Sequence, residues 1–191
     1  MVLVRATTAA DWQALRDIRL AALRDAPDAF AGSYAEDAAL TEVQWRDRAG
    51  RQTMFFAFVP GLSAPHPASE QAGSEQAGSE QAGSEQAGSE QAGSEQAAGI
   101  AGCFPAGAGS VHLVAMFVRP TARGLGVGEA LIDAVLGWAR AHDAASVDLW
   151  VTEANKSARR LYERCGFTPT GARQPLPSNP ALTEIAMSHP L

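Results

Sequence analysis

From Ser110 to Leu131 the chain passes from an apolar run (SVHLVAMFV, 110–118) through glycines at 124, 126 and 128 into a segment where Leu131, Val135 and Trp138 recur at helical spacing. A strand that enters an amphipathic helix through glycine commits the chain to sheet and helix together, a mixed α/β or α+β architecture. Glycines let backbone amides crowd without side chains in the way, and a helix start presents unpaired N–H groups. The combination is an anion cradle suited to a phosphate or pyrophosphate. Two common nucleotide-binding patterns fail at specific residues. No lysine follows the glycines, as G-x-x-x-x-G-K-[ST] requires, and G-x-G-x-x-G/A meets Glu129 when counted from Gly124 and Leu131 when counted from Gly126.

The remaining elements follow from pattern. Val2–Ala6 reads as a strand, Ala9–Arg24 as a helix stopped by Pro27, and Thr41 with Gln44 has capping-box spacing for a helix that holds Trp45 and ends near Gly50. The segment between them, through Gly32, reads as loop. Thr53–Val59 and Gly99–Phe104 read as strands, then Ser110–Val118, a helix from within Gly124–Gly128 to about His142, strand Ser146–Val151, helix Asn155–Cys165, a strand from Phe167-Thr168, and strand Ala181–Ser188.

Between the strands at 53–59 and 99–104 the text SEQAG runs five times and then SEQA, Ser69–Ala97, 29 of the 191 residues. A five-residue period makes no helical stripe, and its glycines disfavour helix, so the insert is expected to be disordered at a hairpin tip, where lengthening costs only logarithmically. The other 162 residues suit one domain. Removing the insert's six glutamates lowers the acid count from 21 to 15, equal to the 15 bases, so the formal charge of −6 is no sign of a nucleic-acid partner or its opposite on the folded part. Cys103 and Cys165 lie far apart and the four histidines lack ligand spacing, which disfavours zinc, any other metal site and a disulfide framework. With no leader pattern and no bilayer-length apolar run, a soluble cytoplasmic protein without membrane or nucleic-acid partners is expected.

Arg123, Gly126 and Gly128 form R-x-x-G-x-G, and downstream Asn155, Ala158, Leu161, Tyr162, Glu163, Gly166 and Phe167 form N-x-x-A-x-x-L-Y-E-x-x-G-F. The pair resembles GNAT-type N-acetyltransferases over about Leu113–Phe167; the SEQAG repeat departs from that pattern but lies outside both motifs. The resemblance implies a sheet splayed between the strands at 110–118 and 146–151, with acetyl-CoA in the gap. Main-chain groups of Met116, Phe117 and Val118 would bond the pantetheine arm, amides of Arg123, Gly124, Leu125, Gly126, Val127 and Gly128 the pyrophosphate, and Asn155 the arm again. Arg119 and Lys156 are phosphate neighbours or simple surface charges.

The implied reaction is direct acetyl transfer from thioester to amine, with Tyr162 donating to the departing sulfur or only packing on its helix. A backbone N–H in the strand containing Met116 would face the oxyanion. The general base stays open among His112, Glu153, Glu36 and a water chain. Phe30, Tyr34, Glu36 and Trp45 are candidates for an amine pocket, Trp45 equally for core. The acceptor, small molecule or peptide, is unspecified, and so is the oligomeric state, a homodimer included. Two rival readings remain: a non-catalytic acyl-CoA sensor, and an interaction protein organised by the repeat.

Overall fold

The computed structural model describes residues 1–62 and 96–191. In chain order they form β1 (Leu3–Ala6), α1 (Trp12–Asp25), α2 (Tyr34–Ala38), α3 (Glu42–Gly50), β2 (Met54–Phe58), β3 (Gly99–Gly107), β4 (Ser110–Val118), α4 (Val127–Ala141), β5 (Ser146–Thr152), α5 (Lys156–Arg164), β6 (Thr168–Leu176) and β7 (Asn179–Pro190). The strands make one seven-stranded sheet in the order β1-β2-β3-β4-β5-β7-β6, antiparallel except for β4 beside β5.

The continuous apolarity of β2 has a direct cause. Its residues alternate between two covered faces, Phe55 and Ala57 packing with α4 and Met54 and Phe56 with α1 and α3. On the first face α4 buries Leu131, Ile132, Val135, Leu136 and Ala139, the stripe its spacing foretold. On the second, α1 contributes Leu15, Ile18, Ala22 and Leu23, and α3 contributes Trp45 and Ala49. Trp45 is wholly buried, so it belongs to the core and not to an amine pocket.

Local signals account for the helix starts. Thr41 and Gln44 form the expected capping box, Gln44 N–H donating to Thr41 Oγ1 at 3.4 Å and Thr41 N–H to Gln44 Oε1 at 2.8 Å. Ser33 and Glu36 form a second box that opens α2 where the sequence reads as loop. The predicted helix start at Ala9 is instead a 3-10 turn, Ala9–Asp11, leading into α1.

β2 and β3 are antiparallel neighbours, Met54 opposite Gly102 and Ala57 opposite Gly99, so the repeat does join two strands of a hairpin. Most of it, and with it the expectation of disorder, lies outside the described residues. Its last alanine does not behave as insert: Ala97 is buried, and its carbonyl accepts a 2.8 Å hydrogen bond from Arg119 Nε. That bond also accounts for Arg119, which anchors the start of β3.

The feature that positions a site lies between β4 and β5. They pair only from Ser110–His112 to Ser146–Asp148, and from Leu113 onward β4 has no partner on that side. A bulge accompanies the divergence: between the pairs Ile100–Phe117 and Gly102–Val114, β4 spends one residue more than β3, and Ala115 takes φ +54°. A bulge bends its strand and increases twist, and a non-glycine residue at positive φ is strained, a combination that recurs beside functional sites.

Candidate active site

Two cavities open on the splayed strands. One, of about 680 Å³, is a cleft between β4, α4 and α5, lined by Met116, Phe117 and Val118 of β4, the Arg123–Glu129 turn, and Asn155, Ala158 and Leu161 around α5. The other, of about 460 Å³, includes His112 to Ala115 of β4, Trp150 of β5 and Glu184 of β7. The bulge at Ala115 divides β4 between them, and Ala29 and Phe30 line both.

In the cleft, the turn before α4 is built by glycine. Gly124 and Gly126 both take φ +79°, the left-handed region where a Cβ is costly, and Gly126 is the N-cap of α4 with no side chain capping it. The N–H groups of Gly124, Gly126, Val127 and Gly128 make no backbone hydrogen bond among the described residues, whereas those of Arg123 and Leu125 are turned inward to Pro120 and Ala122 carbonyls. The helix dipole adds to these free donors. Of the six amides expected to hold the anion, four are therefore available. The Leu125 side chain is half exposed and does not line the cleft. Asn155 is committed on one side only: its Oδ1 caps α5 by accepting from Ala158 N–H at 3.1 Å and Ser157 Oγ at 3.0 Å, which leaves its amide donors for a ligand.

Ion pairs frame the rim. Arg123 reaches Asp25 at the end of α1 (2.6 Å) and Arg164 of α5 reaches Glu129 of α4 (2.7 Å), and all four residues line the cleft. Lys156 does not line it.

Tyr162 lies on the inner face of α5, 5 % exposed, edge-on to Phe167 with ring centroids 5.8 Å apart. The lining of the cleft passes through its neighbours Ala158 and Leu161 and omits Tyr162 itself. Burial pushes its phenol well above the ordinary tyrosine range.

The candidate bases separate cleanly. Glu153 is drawn to Arg173 of β6 at 3.0 Å, and Glu36 is exposed and tied to Ser33 in the capping box, so neither lines either large cavity. His112 lines the smaller cavity beside Phe104; burial lowers its pKa, opposed by the charge of Asp148, so the imidazole is neutral at pH 7. Of the amine-pocket candidates Phe30 lines both cavities, while Tyr34 is stacked by Arg24 outside them. Cys103 lines the smaller cavity, but burial pushes its thiol up to about 12, which removes it as a nucleophile at neutral pH. Among the described residues no group of three or more His, Cys, Asp or Glu could hold a metal ion, and no helix is long and apolar enough to cross a membrane.

Residues 63–167 match the family model described as Acetyltransferase (GNAT) family. The chain belongs to the GNAT acetyltransferase family. A GCN5-related N-acetyltransferase from Kribbella flavida superposes with TM-score 0.62 at 22 % identity, covering 100 % of this chain and 98 % of that one, so the two share the GNAT fold. A putative streptothricin acetyltransferase from Bacillus anthracis, solved in complex with acetyl coenzyme A, gives TM-score 0.50 at 18 % identity over 72 % of this chain and 61 % of its own. A mycothiol acetyltransferase from Beutenbergia cavernae is 42 % identical over 64 residues, 34 % of this chain and 21 % of that protein. The chain spans about a fifth of the length of the curated relatives it matches. GNAT enzymes use acetyl-CoA, and the free amides at the start of α4 fit its diphosphate.

Proposed function

We propose that this chain is an N-acetyltransferase that takes an acetyl group from acetyl-CoA and delivers it to an amine, small molecule or peptide, entering from the smaller cavity. The single observation that carries the reading is the division of β4 at its bulge. Met116–Val118 face a cleft whose far end is a collar of free amides, while His112–Ala115 face a second cavity of a size for an acceptor.

In this reading the β4 backbone, unpaired toward β5 beyond His112, bonds the pantetheine arm as an added strand. The amides of Gly124, Gly126, Val127 and Gly128 hold the diphosphate, with Arg123 beside them, and Asn155 bonds the arm. Acetyl-CoA supplies a thioester, which an amine attacks without a covalent enzyme intermediate. A β4 amide near Met116 faces the developing oxyanion. Tyr162 remains protonated at neutral pH because burial raises its pKa. It serves as a hydrogen-bond donor to the departing sulfur more than as an outright acid, since an ordinary thiol ionises near 8.5. The domain is single and cytoplasmic, and the SEQAG repeat, Ser69–Ala97, joins β2 to β3.

The test is thiol release from acetyl-CoA by the purified chain with a panel of amines. Turnover that falls about tenfold or more in Tyr162→Phe, with coenzyme A affinity unchanged, supports the enzyme and this role of the tyrosine. Binding without turnover on any amine supports the acyl-CoA sensor instead.

A further inference from the structure

Three arginine, aspartate or glutamate side chains are buried among the described residues: Arg19, Asp37 and Glu184. The first two are paired, Arg19 Nε donating to Asp37 Oδ2 at 2.7 Å, and Arg48 reaches the other oxygen of the same carboxylate at 3.2 Å. Glu184 has no such partner. It sits in β7 between Thr152 of β5 and Gln174 of β6, 5 % exposed, and no arginine or lysine among the described residues forms an ion pair with it. Its one side-chain donor among the described residues is Gln174 Nε2, at 3.0 Å to Oε2. The adjacent hydroxyl of Thr152 is spent on the Asp28 carbonyl at 2.7 Å. A buried carboxylate with a single amide donor is costly unless a cation completes it. Glu184 also lines the smaller cavity, so a cation can reach it from there.

We propose that Glu184 receives the acceptor as an ammonium ion and is the general base of the transfer, which makes it a catalytic residue and restricts the acceptor to amines protonated in solution. This deepens the acetyltransferase reading and rests on it. The proton passes from R–NH3⁺ to the Glu184 carboxylate. The freed nitrogen lone pair forms the N–C bond as the C–S bond breaks, the second proton shed by that nitrogen as it becomes the amide neutralises the departing thiolate, and Glu184 returns the first proton to solvent through the cavity. The titratable and charged groups sharing that cavity are His112 on β4, Cys103 on β3, Arg19 on α1, and Arg48 and Arg51 on and just after α3. Arg51 is paired with Asp47, and Arg48 shares Asp37 with Arg19.

The experiment compares the full chain with Glu184→Gln, Glu153→Gln and His112→Asn. It measures kcat/KM for the best amine from pH 5 to 9, with coenzyme A affinity by calorimetry as the check on folding. The amide variant preserves shape and can still pair with Gln174. Expected are a loss of about a hundredfold or more in kcat/KM in Glu184→Gln at unchanged coenzyme A affinity, and an unaltered Glu153→Gln. Turnover within about threefold of the parent in Glu184→Gln overturns the inference alone, as does a hundredfold loss that appears in His112→Asn and not in Glu184→Gln. Absence of turnover by the parent on every amine overturns the acetyltransferase reading, and this inference with it.

Discussion

Replacing Gly126 by alanine isolates the contribution of the anion collar. Gly126 stands at φ +79° as the N-cap of α4, and a Cβ built there meets nothing within 4 Å, so the substitution carries no clash. Its cost is conformational, about 1–2 kcal/mol for an L side chain in the left-handed region. If the chain retains the turn, stability falls by that amount; if it relieves the strain, the four free amides lose their convergence and coenzyme A affinity drops by roughly 5–30-fold, the same energy expressed as an equilibrium. Gly137 in the same helix is the control. It too is exposed with nothing within 4 Å, but at helical φ, so Gly137→Ala stabilises by about 0.5–1 kcal/mol and leaves affinity alone. Thermal unfolding and calorimetry with coenzyme A on both variants read the two effects. The reasoning fails if Gly126→Ala matches the parent in both melting temperature and affinity, or if both alanines shift stability in the same direction.

Asp37→Ala leaves the Arg19 guanidinium buried without its counter-ion, and denaturant unfolding should show a loss of about 3–5 kcal/mol; a loss below 1 kcal/mol would mean that solvent reaches Arg19. Arg5, through its hydrogen bond, holds the Asp11 carboxyl down at about 2 against an ordinary 3.8. Because the folded-state pKa is the lower, the pair stabilises above pH 4 and its contribution disappears as pH falls toward 2. Asp11→Asn should therefore be less stable than the parent at pH 6, by no more than about 1 kcal/mol for a pair open to solvent, with the difference shrinking as pH falls through about 2. Asp25→Asn frees Arg123 from its 2.6 Å rim pair, and calorimetry at low salt should show coenzyme A binding tightened severalfold; weaker binding would mean that the pair orders the cradle instead.

How far the sequence discloses this molecule depends on whether the cause of each feature is local. The helix cap at Thr41, the βα unit at 110–131 and the strand at 53–59 are local, and all are present as read. The Ser33–Glu36 box was equally local, but its helix is only five residues long and has no apolar period to draw attention to it. Glu153 looked available as a base because nothing near it in sequence shows that Arg173, 20 residues on, will hold it, whereas the spacing of Ser33 and Glu36 already carries the capping-box signature that ties Glu36 down. Glu184 was missed for the opposite reason. In ALTEIAMS alternation places it on the polar phase, which would be solvent if the sheet were covered on one face only. Here the segment around Phe30 lies against that end of the sheet, where Ser178 Oγ and Asn179 Nδ2 bond Phe30 and Asp28, and Glu184 is buried while Leu182, Ala186 and Ser188 on its phase stay half-buried. The splay was foreseen from the resemblance alone; the bulge at Ala115 that accompanies it has no signature in AMFV.

The most direct measurement is an amide-resolved NMR titration of the isotope-labelled chain with coenzyme A. The largest shifts should fall on Gly124, Gly126, Val127 and Gly128, with a second set at Met116–Val118 and on the Asn155 side-chain amide. Saturable binding that leaves the Gly124–Gly128 amides where they were would contradict the claim that bare backbone donors at the start of α4 hold the diphosphate.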